Sequence, residues 1–187
     1  MAAVTDSMRE RTGRSVEQWV REVQTNGPDP LDQKAVRAWL REEHGVQQNS
    51  QWAIADAAAT AAGWVRPDVE GYIDSQYTGA KAALRPIFDR LREVIGGFGD
   101  DVSVEGRSGY TPFVRRRQFA AVAAATKQRV DVGLRLTQPP PEEMINDDLI
   151  KPSNGPGQST YKVGVTGVDE VGTELIALLR LAYEQNG

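Results

Sequence analysis

Apolar positions in the first third of the chain recur at helical spacing. Val16, Trp19, Val20 and Val23 fall at i, i+3, i+4 and i+7 behind Ser15, whose side-chain oxygen suits an N-cap; Asn26-Gly27-Pro28 ends the stripe. A short segment from Val4 to Arg11 predicts an extra helical turn or two before it. Pro30 or Asp32 opens the next helix, with Val36, Trp39 and Leu40 on its buried side and Gly45 as its left-handed C′ residue. Asn49 or Ser50 caps a further helix through Ala62, with Trp52, Ile54 and Ala55 facing inward. Gly63 to Gly71, containing Pro67, breaks the pattern. From Ala80 it resumes: Leu84, Ile87, Phe88, Leu91 and Val94 form one apolar face, with Pro86 in the first turn or at a kink.

Beyond Gly96-Gly97-Phe98-Gly99 the period changes from helical to two. Val102 and Val104 alternate with polar residues. Tyr110 to Val114 is a second run, with Pro112 marking an edge or a bulge. Arg115-Arg116-Arg117 reads as a turn, Phe119 to Ala123 as the returning strand and Thr126-Lys127-Gln128 as a second turn. Arg129 to Leu136 is the cleanest strand: Val130, Val132, Leu134 and Leu136 point one way, Arg129, Asp131, Gly133 and Arg135 the other. Pro139 to about Gln158 reads as a long polar loop. Tyr161, Val163 and Val165 make a last strand. Thr166 and Asp169 resemble a capping box before a closing helix lined by Val168, Val171, Leu175, Leu178 and Ala182.

The predicted fold class is α+β. A small helical bundle (residues 1–64) and a linker (65–75) precede a domain (76–187) with an antiparallel sheet of four or five strands, flanked by an N-terminal and a C-terminal helix. The face of the sheet away from the helices would carry Arg129, Asp131, Arg135 and Lys162.

Composition narrows the chemistry. The 187 residues are 40% apolar and 26% charged, the profile of a soluble globular protein, and the net charge of −4 argues against indiscriminate attraction to polyanions. There is no cysteine, which excludes disulfides, thiolate metal sites and a thiol nucleophile and fits a reducing cytoplasm. No apolar run approaches the roughly 18 residues of a membrane span, and the N-terminus lacks a signal-type apolar core. Residues 1–75 hold 8 basic against 12 acidic side chains, leaving 14 of each in the remainder. Within Arg107–Arg135, however, seven basic residues face only Asp131.

Catalytic patterns are weak. His44, the only histidine, falls in a last helical turn where the helix dipole favours a partly protonated ring. Gly106-Arg107-Ser108-Gly109 is not a nucleophile elbow. The acidic doublets Asp100-Asp101, Glu142-Glu143 and Asp147-Asp148 single out no carboxylate pair. A Gly-containing turn between two helices, followed by a polar helix start, is similar to a helix-turn-helix. Arg41, though, stands where a small residue usually lets such helices cross, and the polar start has no Arg or Lys. No catalytic residue, metal ligand or cofactor is assigned, and the reading leans away from an enzyme. The sharper candidate is an Arg-rich surface of Arg107, Arg115, Arg116, Arg117, Lys127, Arg129 and Arg135 with Tyr110, where guanidinium groups would hold an anionic ligand: nucleic acid, nucleotide or another phosphate. Tyr110, Phe113 and Phe119 would offer stacking platforms. The alternatives are a protein-interaction or regulatory module, and arginines that are simply solvated. Membrane partners are not expected.

TGRSVEQWV (12–20), AWLREEHGV (38–46) and WAIADAA (52–58) in the first module, and YTGAKAALRPIFDRL (77–91), RRRQFA (115–120), RVDVGLRL (129–136) and VDEVGTELIALLRLAYE (168–184) in the second, carry a resemblance. The chain resembles uncharacterised bacterial proteins in which a small helical domain of unknown function precedes a C-terminal α+β domain, also of unknown function. The resemblance spans nearly the whole chain and implies no established activity. Relatives of the second module carry the label of predicted transport proteins, which no membrane segment here accompanies.

Overall fold

The computed structural model describes residues 2–144, 149–152 and 155–187. Asp147-Asp148 and Asn154 lie outside the described residues. The chain divides into two units, Met1–Arg66 and Pro67–Gly187, and no described helix is long and apolar enough to cross a membrane.

Four helices make the first unit: α1 (Ala2–Thr12), α2 (Val16–Asn26), α3 (Gln33–Glu42) and α4 (Gln48–Ala61). Ser15 and Gln18 close a reciprocal capping box on α2, and Asp32 caps α3. Gly45 takes φ +61°, and the Val46 amide donates back to the Leu40 carbonyl, so the chain turns sharply from α3 into α4. Met8, Trp19, Val23, Val36, Leu40, Ile54 and Ala58 fill the core. His44 packs at the end of α3. Its ring is wedged edge-on against Trp19 and Trp39, at centroid distances of 5.1 and 4.4 Å. Two expectations for α4 are corrected. The helix starts at Gln48 behind Gln47, which makes no side-chain cap, and Trp52 faces outward, 49% exposed. The buried stripe centres on Gln51, Ile54 and Ala58, and Trp52 stands at its edge, where its ring packs against the Arg37 guanidinium 3.6 Å away instead of the core.

The second unit begins inside the segment read as a linker. α5 (Val69–Gln76) is capped by Asp68, buries Ile73 and is fastened to α6 (Arg85–Gly96) by the Arg92–Glu70 and Arg85–Asp74 ion pairs. The glycine and proline around it hid a helix whose partners lie far along the chain. Pro86 sits in the first turn of α6, after a 3₁₀ turn over Gly79–Leu84. The strands are β1 (Ser103–Val104), β2 (Thr111–Val114), β3 (Gln118–Ala124), β4 (Val130–Leu134), β5 (Ile150–Pro152) and β6 (Tyr161–Val165). They form one antiparallel sheet of order β1-β2-β3-β4-β6-β5, with β3 and β4 central. The count is six, not four or five, because β5 adds an edge strand within the expected long loop. α7 (Thr173–Gln185) closes the fold. It begins later than the apolar pattern suggested: Val168–Glu170 is a separate 3₁₀ turn, and Thr166 is bonded through its amide and hydroxyl by Glu170, not Asp169.

One sheet face is covered. Phe113, Val122, Val132, Leu134 and Val163 join Phe88, Leu91, Leu175 and Leu178 in the core. The other face is built from small and polar residues: Pro112, Ala121 and Gly133 stand in one cross-strand row with Lys162, and Ala123, Asp131 and Gly164 in the next.

Candidate functional site

On that second face a concavity of about 330 Å³ is lined by Glu105, Arg107, Tyr110, Val114, Arg117, Gln118, Arg135 and Gln158. Alternation along β2 places Tyr110 and Val114 on this side. Between Phe113 and Val114 the register with β3 shifts, so Val114 pairs with Gln118 while Phe113 pairs with Ala120. Such a bulge re-aims side chains. Here Phe119 and Ala120 both enter the core, and Gln118 is left to line the concavity. Arg117 belongs to the β2–β3 turn, which closes through an Arg115 amide to Arg117 carbonyl bond of 3.0 Å. Arg135 continues β4, its amide donating to the Phe119 carbonyl at 2.8 Å.

The remaining walls come from elements that sequence reading left as connectors. Arg107 sits in the β1–β2 loop, which α5 holds: Gln76 Nε2 donates to the Arg107 carbonyl at 3.0 Å and to Thr111 Oγ1 at 3.3 Å. Gly106 leaves room for the Tyr72 ring, which a Cβ there would strike. Gln158 arrives on a strap, residues 155–159, that lies across the sheet face. The strap passes so close to Gly133 that a Cβ would meet the Pro156 carbonyl oxygen at 2.8 Å. Ser159 Oγ donates to the same carbonyl.

Electrostatically, three guanidinium groups face one carboxylate. Arg107 is paired with Glu105 at 2.8 Å. Arg135 Nη1 donates to a neutral acceptor, Gln158 Oε1, at 2.6 Å. Arg117 is exposed and makes no ion pair among the described residues. Gln118 Nε2, packed beneath Gly157, is a buried donor with no acceptor among them. The concavity therefore offers donors in excess of acceptors, one donor set being engaged only by an exchangeable amide.

The eight residues singled out from sequence do not share one surface. Arg107, Tyr110, Arg117 and Arg135 converge on the concavity. Arg115 turns away: its Nε donates to Asp101 at 2.6 Å and its guanidinium carbon lies 4.2 Å from the centre of the Tyr183 ring, while the Tyr183 hydroxyl donates to Asp101 at 2.7 Å. The bond from Arg115, then that from Tyr183, holds the Asp101 carboxyl below its usual range. The bond to Asp101 in turn raises both Arg115 and Tyr183. Arg116 is exposed and does not line the concavity. Lys127 stands in the β3–β4 turn, at the opposite end of β3 from the arginine turn. Arg129 is held by Asp131, 2.7 Å away and only 7% exposed, which Lys162 also approaches at 3.6 Å. Sequence reading missed Glu105, Gln118 and Gln158. Alternation from Glu105 through the β1–β2 hairpin signals the first; the bulge and the strap that bring in the other two leave no local pattern. No group of three or more His, Cys, Asp or Glu among the described residues could hold a metal ion.

Residues 1–58 match the family described as Domain of unknown function (DUF4287). No curated protein and no solved structure matches the chain. Residues 73–186, more than half of the chain, match the family described as Domain of unknown function (DUF5655), and to that family the chain belongs.

Proposed function

We propose that the second unit is a binding domain for a small anionic ligand, held in the concavity by Arg107, Arg117 and Arg135. The observation that supports this reading is the convergence of three guanidinium groups from a loop, a turn and a strand on one hollow with a single carboxylate. A bidentate guanidinium–phosphate fork, with both partners ionised, is stronger than the single bond Arg135 now donates to a neutral amide oxygen, so an anion displaces Gln158 with a net gain. Calorimetric titration of the full chain with inorganic phosphate and tripolyphosphate tests it. Saturable binding that weakens with added salt, and by ten-fold or more in Arg117→Ala and Arg135→Ala but not in Arg116→Ala, is expected. Absence of saturable binding at low ionic strength refutes it.

A second reading, a protein-docking module, is favoured by one feature of the first unit. Trp52 is exposed, and the Arg37 guanidinium carbon stands 3.6 Å from its ring centre. Trp and Arg are among the residue types most enriched at the energetic centres of protein interfaces. Trp52→Ala would then abolish association with a partner while leaving phosphate binding intact; unchanged association would refute it.

A further inference from the structure

We infer that the ligand of the concavity is a mononucleotide, a phosphate monoester carrying a flat heteroaromatic ring; this deepens the anion-binding reading and rests on it. The lining is not that of a bare phosphate site. Beside the three guanidinium groups stand a carboxylate, Glu105, and an aromatic ring, Tyr110. A bare phosphate gains nothing from the ring and is repelled by the carboxylate. A ligand that spans the lining needs acceptor oxygens for Arg117 and Arg135, a flat face for Tyr110 and a hydrogen-bond donor for Glu105 Oε1, since Arg107 engages only Oε2. A nucleotide carries all three: the phosphate, the base, and a ribose hydroxyl or exocyclic amine. Stacking on an aromatic face tolerates any base, so the geometry selects the class and not the base.

Size and charge point to a monomer. A hollow of about 330 Å³ lies at the small end of ligand sites, roughly 300–1,000 Å³. A nucleic-acid groove would need the cationic character to continue along the sheet. There the cations are engaged by carboxylates: Arg115 pairs with Asp101, and Arg129 and Lys162 share Asp131, so less cationic surface is open to a polyanion than in the concavity.

The test is calorimetric titration of the full chain with inorganic phosphate, ribose 5-phosphate, AMP, GMP and a single-stranded oligonucleotide. The expected order places AMP and GMP at least ten-fold tighter than ribose 5-phosphate. Tyr110→Leu, which keeps most of the side-chain volume, and Tyr110→Ala bring AMP down to the ribose 5-phosphate level, with the retained melting transition of either variant showing that it folds. If phosphate and ribose 5-phosphate bind but AMP and GMP bind no more tightly, the nucleotide inference fails while the anion reading stands. If the oligonucleotide binds far more tightly than AMP, with a steep salt dependence, the inference also fails. If none of these binds, both fail.

Discussion

Gly133→Ala tests whether the strap is packed as described. Gly133 lies in the central strand β4, where its backbone places no special demand on glycine, so any penalty is steric. The added Cβ would overlap Ser159 Oγ outright and would lie 2.8 Å from both the Pro156 carbonyl oxygen and Ser159 Cβ. None of these can swing away freely: Ser159 is buried, its hydroxyl is bonded to that carbonyl, and the carbonyl is backbone. One methylene forced into a packed interior costs about 1–3 kcal/mol. Replacing glycine by alanine within a strand returns about 0.5–1 kcal/mol through the unfolded chain. The difference spans about 0–2.5 kcal/mol, and an overlap this severe with buried and backbone atoms places the net loss in its upper half, about 1–2.5 kcal/mol, or roughly 4–10 °C in Tm for a unit of this size.

The assay is thermal and urea unfolding followed by far-UV circular dichroism, with Ser159→Gly and the double variant completing a cycle. Ser159→Gly removes the two side-chain atoms nearest the new Cβ but leaves the Pro156 carbonyl, so the double variant should recover part of the loss. The coupling should be of the order of 0.5–1.5 kcal/mol. Because the strap carries Gln158, Gly133→Ala should also alter anion binding. A Gly133→Ala protein as stable as wild type, or losses that simply add, would show that the strap does not lie on Gly133.

Three further outcomes follow from single contacts. Gln158→Ala removes the neutral acceptor of Arg135 and should tighten phosphate binding about two- to five-fold, the worth of one ordinary hydrogen bond at about 0.5–1 kcal/mol; weaker binding by calorimetry would make Gln158 a ligand contact instead. Asp101 is held below its usual value of 3.8, so the folded state binds fewer protons there than the unfolded chain. Its stabilisation is complete above that value and disappears as pH falls through the lower folded value. The Tm difference between wild type and Asp101→Asn should therefore be constant near neutrality and shrink in acid; a pH-independent difference counts against the Arg115–Tyr183 account. All four tryptophans lie in the first unit and all five tyrosines in the second. Ser15→Ala, which breaks the capping box, should destabilise the tryptophan-fluorescence transition by about 1 kcal/mol; an unmoved transition would show the cap to be dispensable.

What could be read from sequence was what local periodicity writes down. The Val130–Leu136 alternation marked a central strand, the stripes of α2 and α6 marked helices, and Gly45 marked a helix end. α5 was not legible, because a single buried isoleucine and a cap at Asp68 are lost among Gly63, Pro67 and Gly71, and its anchors, Arg92 and Arg85, lie in another helix. β5 was not legible either, since three residues have no period and its partner β6 lies beyond a strap. The exposure of Trp52 has no local signature either: it stands at the edge of the α4 stripe, and the side chain that packs on it, Arg37, belongs to α3.

The arginine run shows why residue type alone misleads about a site. Three consecutive residues in a hairpin turn cannot point the same way, and here they take three fates: Arg115 stacks on Tyr183, Arg116 goes to solvent and Arg117 enters the concavity. The positive hollow is instead gathered at longer range. Arg135 comes from the neighbouring strand one ladder step beyond Leu134, and Arg107 from a loop braced by Gln76 of α5. Adjacency in sequence therefore disperses the charge, and antiparallel pairing collects it. The helix read as a linker braces the loop that bears Arg107, with Gln76 bonded to the Arg107 carbonyl and Tyr72 packed on Gly106.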